Sequence, residues 1–212
     1  IPCMGEFESY GGFSMDCLQE RIQKYGEKIN YVAVTGASNV TGTITPLEEV
    51  AKLVHSVGAY TIVDASQMIA HAPVCMDDAD LDVLVFSGHK IYAPGSPGVV
   101  IAKKTLLNAI SPSELGGGMV DDVSLAEYVP TNNLPDREEA GTPNIVGAIT
   151  LGAVLDLLVR VGMDTIREKE IGLIDYTWNN LTLIDGVTVY GPNPAEIPRT
   201  GTISFNIKGF DH

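Results

Sequence analysis

Short apolar runs alternate along the chain with segments of helical periodicity. The runs Tyr31–Val34, Tyr60–Val63, Leu81–Phe86 and Gly98–Ala102 are rich in β-branched residues, which is typical of strands in a buried sheet. The first of them is predicted to be buried on both faces. Strands that alternate with helices imply βαβ units, so the pattern predicts an α/β fold with a mostly parallel sheet flanked by helices.

The best-marked helix begins near Thr45. Thr45 and Glu48 fit a capping box, Pro46 takes the first helical position, and Gly58 is predicted to end the helix. Residues 111–143 are predicted to be mostly loop, because they are rich in glycine and proline. The other predicted helices and strands are the helices Ser14–Tyr25, Ile145–Val161 and Asp164–Leu183 and the strands Val187–Tyr190 and Gly201–Ile207.

The length of 212 residues and a hydrophobic content of 45% suit one sizeable domain and the start of another. We expect residues 1–160 to form a large domain, and residues 161–212 to form a connecting helix and the beginning of a smaller α+β domain. The chain starts at Ile1 and stops directly after a strand-like run, which leads us to expect a fragment of a longer protein. A processed N-terminus and a naturally short C-terminus are the alternative.

Charge and cysteine content narrow the function classes. The formal net charge is −14, which argues against nucleic acid or an anionic membrane as the main partner. Cys3, Cys17 and Cys75 are odd in number and form no CxxC pair, so we expect no disulfide framework and a cytoplasmic location. We identify no signal peptide and no apolar run of membrane-spanning length.

Polar side chains follow three of the predicted strands, at the point where each strand ends. These segments are Thr35–Gly42, Asp64–Gln67 and Ser87–Lys90. Ligands of parallel α/β sheets bind beyond the carboxyl ends of the strands. We therefore expect the three loops to open onto one crevice.

The residues in these loops suit one chemistry. A lysine such as Lys90 can form a Schiff base with an aldehyde, and Asp64 can pair with a pyridinium nitrogen. Gln67 can donate to a ring oxygen, while Ser87 and His89 can bind a phosphate. Each residue alone also has a structural interpretation: Asp64 as a turn cap, Lys90 as a solvated lysine and His89 as a hydrogen-bonded structural histidine.

The residues around Asp64 and Lys90 resemble a known cofactor motif. Val63–Gln67 and Phe86–Gly95 are similar to the motif of class V aminotransferase-like enzymes. These are fold-type I enzymes that use pyridoxal 5'-phosphate (PLP), and they include cysteine desulfurases and selenocysteine lyases. Further segments match the family in the same order, namely Ser38–Gly42, Gly116–Met119, Glu139–Ile145 and Ile203–Asn206.

The resemblance implies a role for each strand-end residue. Residues 1–160 would be the PLP-binding large domain, in which Lys90 carries the cofactor and then moves protons on the substrate Cα. Asp64 would pair with the pyridine nitrogen, and Gln67 would contact the phenolic oxygen. Ser87 and His89 would bind the phosphate. No metal is implied.

Two further residues acquire roles from the resemblance alone. Asn39 would lie near the carboxylate of a small amino-acid substrate. Thr142 would reach the phosphate of the partner subunit's cofactor, which implies a homodimer with active sites at its interface. A sulfur-acceptor protein would be a further partner of a desulfurase.

Several family features are missing from this sequence. The aromatic residue that stacks on the cofactor would precede Ile1, while the sulfur-accepting cysteine and the carboxylate-binding arginine would follow His212. Cys75 does not match that nucleophile and is interpreted as structural. The spacing in Gly95–Gly98 departs from the common glycine pattern. We therefore expect these 212 residues alone to be inactive.

The favoured function is a cysteine desulfurase or selenocysteine lyase. A class V aminotransferase, an epimerase or a kynureninase-type enzyme shares the early steps and the same lysine. A nicotinamide-dependent dehydrogenase is a weaker alternative, because the loop Thr35–Gly42 lacks the G-x-G-x-x-G spacing and the sequence has no Tyr-x-x-x-Lys pair. A catalytically inactive dimerisation scaffold is the alternative from outside the enzymes.

Overall fold

A computed structural model describes residues 12–210 as a central mixed sheet with helices packed against it and two small hairpins. The helices are α1 (Met15–Tyr25), α2 (Leu47–His55), α3 (Lys104–Ala109), α4 (Ile145–Val161) and α5 (Met163–Leu181). The strands are β1 (Tyr31–Thr35), β2 (Tyr60–Asp64), β3 (Val83–Ser87), β4 (Gly98–Ala102), β5 (Val120–Val123), β6 (Tyr128–Pro130), β7 (Val187–Tyr190) and β8 (Ser204–Ile207).

The central sheet has the strand order β1-β2-β3-β4. The pairs β1–β2 and β2–β3 are parallel, with Thr35 opposite Asp64 and Asp64 opposite Val85. The strand β4 runs antiparallel to β3, because a single short loop reverses the chain between them. The predicted α/β fold with a mostly parallel sheet is confirmed.

Two apolar clusters hold the helices on the sheet. The larger one joins side chains of β2 and β3, such as Val63 and Phe86, to Leu151 and Leu158 of α4. The smaller one packs α1 against α2. Burial of these side chains is the main favourable contribution to folding, at about 25 cal/mol per Å² of apolar surface. The sheet is therefore a rigid base for the loops at its ends.

The predicted capping box of α2 is wrong. The helix begins at Leu47 after Pro46, and no side chain caps it. The Thr45 hydroxyl donates instead to the carbonyl oxygen of Thr35 over 2.6 Å. This contact ties the start of α2 to the end of β1, so Thr45 is committed to the tertiary structure and not to the helix end.

The prediction that β1 is buried on both faces is also wrong. Within residues 12–210, β1 has β2 as its single neighbour in the sheet, and Tyr31 is 61% exposed. Its side chains alternate between half-buried and exposed. A strand at the edge of a sheet is covered less completely than a central strand, whatever its composition.

The segment after β4 contains more regular structure than expected. The helix α3 and the hairpin β5–β6 both lie in or next to the predicted loop region. The strand predicted over Gly201–Ile207 is shorter and begins at Ser204. The helix predicted over Asp164–Leu183 runs from Met163 to Leu181.

The division near residue 160 stays a prediction. The parts on either side of it contact each other, since the ring Nδ1 of His71 lies 2.6 Å from the carboxylate Oε1 of Glu170. Thr43 and Arg199 also form an isolated β-bridge.

The helix α4 is apolar around most of its circumference. Many of its large side chains are exposed in this chain, namely Ile145, Val146, Ile149, Leu155, Leu157, Val159 and Val161. Within residues 12–210 no single helix is long and apolar enough to cross a membrane, and α4 and α5 meet that test only as a pair bent by 74°.

Candidate functional site

The carboxyl ends of β1, β2 and β3 lie side by side at one edge of the sheet. The amide of Gly36 donates to the carbonyl oxygen of Asp64 over 2.7 Å, and the amide of Ala65 donates to Val85 over 2.8 Å. These bonds join the first residues of successive loops. The first residues of the loops therefore lie side by side, and the opening of all three loops onto one crevice stays a prediction.

Lys90 lies on a single 3-10 turn, Gly88–Ile91, that begins where β3 ends. Its side chain is exposed, and the ammonium Nζ donates to the amide oxygen of Gln67 over 2.8 Å. This contact joins the second loop to the third. The amine is therefore held beside the loop that follows β2.

Asp64 is the last residue of β2, and its side chain is exposed. One carboxylate oxygen, Oδ1, accepts from the backbone amide of Ser66 over 2.9 Å. The turn-cap interpretation of Asp64 is therefore correct for one oxygen. Among the described residues the other oxygen has no hydrogen-bond donor, so it can accept from a ligand.

The remaining predicted site residues lie close to this edge or are exposed elsewhere. Ser87 is half-buried at the end of β3 opposite Gly98, and His89 is exposed on the turn that carries Lys90. Asn39 and Thr142 are exposed, on the loop after β1 and just before α4. Within residues 12–210, no hydrogen bond links Asn39 or Thr142 to Lys90 or its neighbours.

The turn that carries Lys90 depends on unusual backbone geometry. A Cβ atom on Gly88 would lie 1.8 Å from the hydroxyl oxygen of Ser96, so only glycine fits there. Tyr92 ends the turn with a φ of 68°, in the left-handed region that is costly for a residue with a side chain. Gly95 then reverses the chain with a φ of 77°. Such strain is concentrated at functional sites in proteins.

The segments that carry the family resemblance contact one another in pairs. Backbone amides of Val40 and Thr41 donate to the Ser38 hydroxyl, and the Ser204 hydroxyl donates to the carbonyl oxygen of Val40 over 2.5 Å. The loop that carries Asn39 is thus attached to the beginning of β8.

The second such pair consists of the glycine-rich loop Gly116–Gly118 and the segment just before Thr142. The amide of Gly141 donates to the carbonyl oxygen of Gly117 over 2.8 Å. A Cβ atom on Gly116 would lie 3.1 Å from that of Ala140. The loop therefore supports the backbone just before Thr142.

A charged cluster that the sequence analysis missed lies at the opposite edge of the sheet. The buried carboxylate of Asp82 is 2.8 Å from His55 Nε2 and 3.0 Å from Lys103 Nζ, and Asp80 contacts the same two partners. In the sequence, Asp82 directly precedes the apolar strand β3, and this position could have indicated a buried carboxylate. Buried charges are almost always paired, so a buried carboxylate in turn indicates charged partners.

The pKa values in this cluster are shifted by its own hydrogen bonds. Burial alone would raise the pKa of Asp82, but bonds from the Thr61 amide, His55 and Lys103 outweigh it and hold the pKa below its ordinary value. The bond to Asp80 raises the pKa of Lys103.

Within residues 12–210 no group of three or more histidine, cysteine and acidic side chains is placed to hold a metal ion. Cys17 is half-buried and Cys75 is exposed, and both are free thiols. Cys3 lies outside the described residues.

A family model, curated relatives and solved structures all match this chain, and they agree on one family. The family described as Aminotransferase class-V matches residues 6–212. A cysteine desulfurase of Shigella sonnei is 41% identical over 183 residues, which is 86% of this chain and 44% of that protein. The chain therefore spans less than half the length of this relative.

Solved structures agree with the sequence matches. The apo structure of a cysteine desulfurase from Thermococcus onnurineus NA1 is 34% identical with a TM-score of 0.88, over 97% of this chain and 50% of that one. A cysteine desulfurase from Escherichia coli in an S-sulfonic acid form is 31% identical with a TM-score of 0.84, over 93% and 47%.

Proposed function

Because the chain belongs to the class V aminotransferase family, we propose that it forms the PLP-binding part of a cysteine desulfurase-type enzyme. The observation that carries the proposal is the contact between Lys90 Nζ and Gln67 Oε1, at the sheet edge where β2 ends with Asp64. The relatives that match at 41% identity are cysteine desulfurases.

The residues at the sheet edge fit a PLP site. Lys90 offers an exposed primary amine, Asp64 offers a carboxylate oxygen that is free of protein donors within residues 12–210, and Gln67 offers an amide that contacts the Lys90 amine. The backbone of β2 and β3 fixes the strand ends from which these side chains extend. When bound, PLP supplies an aldehyde for attachment and an electron-poor ring that stabilises negative charge at the substrate Cα.

Each of these residues has a separate task. The Lys90 amine would bind the aldehyde of PLP and would move a proton at the substrate Cα. Asp64 Oδ2 would accept a hydrogen bond from the protonated pyridine nitrogen, which would keep the ring electron-poor. The Gln67 amide has a donor as well as the oxygen that accepts from Lys90, and we assign this donor to the phenolic oxygen.

The outer parts of the site remain proposals that rest on the family. Ser87 and His89 would hold the phosphate, and Asn39 would lie near the substrate carboxylate. Thr142 would reach the phosphate of the partner subunit's cofactor in a homodimer. We also propose a small amino acid as the substrate, a sulfur-acceptor protein as a further partner and the cytoplasm as the location.

The reaction proposed is removal of sulfur or selenium from cysteine or selenocysteine. A class V aminotransferase or an epimerase would use the same Lys90, so the products decide between them. A desulfurase yields alanine and a persulfide or sulfide, an aminotransferase yields a keto acid, and an epimerase inverts the substrate. Alanine formation from cysteine would support the proposal, whereas a keto acid or an inverted product would refute it.

The experiment that tests the cofactor site is a visible absorbance spectrum of the full-length protein after mixing with PLP and dialysis. We expect a band that survives dialysis and is absent from Lys90→Ala. Lys104→Ala is the matched control, because Lys104 is an exposed lysine at the start of α3. Loss of the band in the control, or no band in the parent, would refute the assignment.

A further inference from the structure

We propose that Asn144 is a positioning residue that fastens the turn carrying Lys90 to the segment carrying Thr142, so that parts of the two cofactor sites of the proposed dimer move as one unit. The inference rests on the proposed function, which gives Lys90 and Thr142 their roles. It assigns to Asn144 a role that the strand-end residues do not supply.

The Asn144 side chain uses both ends of its amide. Its Nδ2 donates to the carbonyl oxygen of Gly95 over 2.8 Å, and its Oδ1 accepts from the backbone amide of Gly147 over 3.0 Å. The second bond is an ordinary N-cap of α4. The first joins residues 49 positions apart in the sequence, so it is a tertiary contact. Only one orientation of the amide satisfies both bonds.

Gly147 shows how closely the two segments approach. A Cβ atom on this residue would lie 2.4 Å from the Gly95 carbonyl oxygen, and Gly147 is buried. Any larger side chain would therefore push the loop away from the first turn of α4. The Asn144 donor therefore binds the Gly95 carbonyl oxygen, and the missing side chain of Gly147 leaves the space in which that oxygen lies.

The segment from Gly88 to Ser96 transmits the position of Gly95 to Lys90. The amide of Ser96 donates to Ala93, and the amide of Ala93 donates to Gly88, over 3.2 and 3.1 Å. Ala93 is fully buried, and Gly88 lies against Ser96. Because these bonds close successive turns, a shift of Gly95 moves the backbone of Lys90 with it.

Asn144 follows Thr142 by two residues, and hydrogen bonds also hold the backbone around this segment. The amide of Gly141 donates to Gly117, and that of Ile145 donates to Pro143. In the proposed dimer, Lys90 serves one cofactor while Thr142 serves the partner's. The Asn144 bond to Gly95 would then link the two active sites mechanically.

Two substitutions separate this role from helix capping. Asn144→Asp keeps an oxygen that accepts from the Gly147 amide, so α4 stays capped, but it replaces the donor to Gly95 with a second acceptor. Asn144→Ala removes both bonds. Ser14→Ala is the control, since Ser14 caps α1 through the Cys17 amide, far along the chain from the site.

The measurements are the rate of PLP release from the loaded full-length protein and hydrogen exchange of the amides over residues 88–98. We expect both Asn144 variants to release PLP roughly tenfold faster, the ratio that corresponds to the loss of one hydrogen bond. Exchange over residues 88–98 should rise in both variants. Ser14→Ala should lower the melting temperature and leave both measurements at the parental values.

Parental release and exchange in Asn144→Asp, with faster values only in Asn144→Ala, would overturn the proposal and leave Asn144 as a cap. The exchange measurement needs no cofactor. If the parent binds no PLP, the proposed function fails, and exchange in the unloaded protein still decides whether Asn144 fastens the Lys90 turn.

Discussion

Removal of the Asp82 carboxylate is the sharpest test of the charged cluster at the amino-terminal edge of the sheet. Asp82 is 4% exposed, and its Oδ2 accepts from the Thr61 amide and from His55 Nε2, each over 2.8 Å. Its Oδ1 lies 3.0 Å from Lys103 Nζ. The carboxylate thus joins β2, α2 and the residue after β4 to the beginning of β3.

The expected loss follows from the groups left behind. In Asp82→Ala the fully buried amide of Thr61 loses its acceptor, which costs about 1–3 kcal/mol. Removal of one partner from a buried ion pair costs about 3–5 kcal/mol. Since the side chains of Lys103 and His55 are 35% and 25% exposed, water solvates them in part. We therefore expect a total loss of about 3 kcal/mol.

Urea-induced unfolding at pH 7 measures this loss, with two variants for comparison. Asp82→Asn keeps an oxygen for the Thr61 amide and should lose less than Asp82→Ala. Asp80→Asn is the matched control, because Asp80 contacts His55 and Lys103 but is exposed. A loss in Asp82→Ala no larger than that in Asp80→Asn would refute the argument from burial.

Acid adds an independent check on the same carboxylate. The folded pKa of Asp82 lies below its ordinary value of 3.8. Its contribution to the free energy of unfolding is therefore complete above about pH 5, begins to fall near the ordinary pKa, and is lost as the pH falls through the folded pKa. Asp82→Ala should lose less stability than the parent between pH 7 and pH 3, and an equal loss in both proteins would contradict the assignment.

Two further predictions concern the turn that carries Lys90. Gly88→Ala should lower the free energy of unfolding by roughly 1–3 kcal/mol and weaken PLP binding, because its Cβ would overlap Ser96. Gly152→Ala in α4 is the control: its Cβ meets no atom within 4 Å, so it should raise the free energy of unfolding by about 0.5–1 kcal/mol. Urea unfolding measures the stability of both variants, and absorbance after dialysis measures their PLP binding. Tyr92→Gly should raise the urea midpoint, because it relieves a left-handed φ and removes a ring that is 58% exposed; a lower midpoint would show that the ring makes a stabilising contact.

The sequence predicted elements well where apolar runs are bounded by glycine or polar residues. The strands β4 and β7 and the helix α4 have the predicted bounds. The direction of β4 could not be predicted in the same way, since side chains alternate equally in parallel and antiparallel strands. Direction is set by the loop that follows Lys90, and a loop's path is not encoded in strand periodicity.

The hairpin β5–β6 was missed because its sequence lacks the usual features of strands. Asp121 and Asp122 lie within β5, and acidic residues are depleted in strands. The pairing also shifts register between Val120 and Asp122. This hairpin is defined by its backbone pairing and has little apolar burial, so hydrophobic periodicity could not reveal it.

Side-chain roles that depend on distant partners were the least predictable. Thr45 fits a capping box by spacing, yet its hydroxyl bonds to Thr35 in the preceding strand. Asp82 is unremarkable by spacing, and its partners His55 and Lys103 lie in other elements. A local pattern lists what a side chain could bond to, while the tertiary structure decides which partner it has.

The candidate site shows the same contrast between residues that a local sequence pattern identifies and contacts that form only in the tertiary structure. Strand-end position identified Asp64, Gln67 and Lys90, because parallel strands deliver their carboxyl ends to one edge. The junction of this edge with the segment before α4 depends on a glycine carbonyl and the Asn144 amide, neither of which is distinctive in sequence. Cofactor retention should therefore be sensitive to residues that touch no cofactor atom, and most sensitive where separate segments meet through a single hydrogen bond.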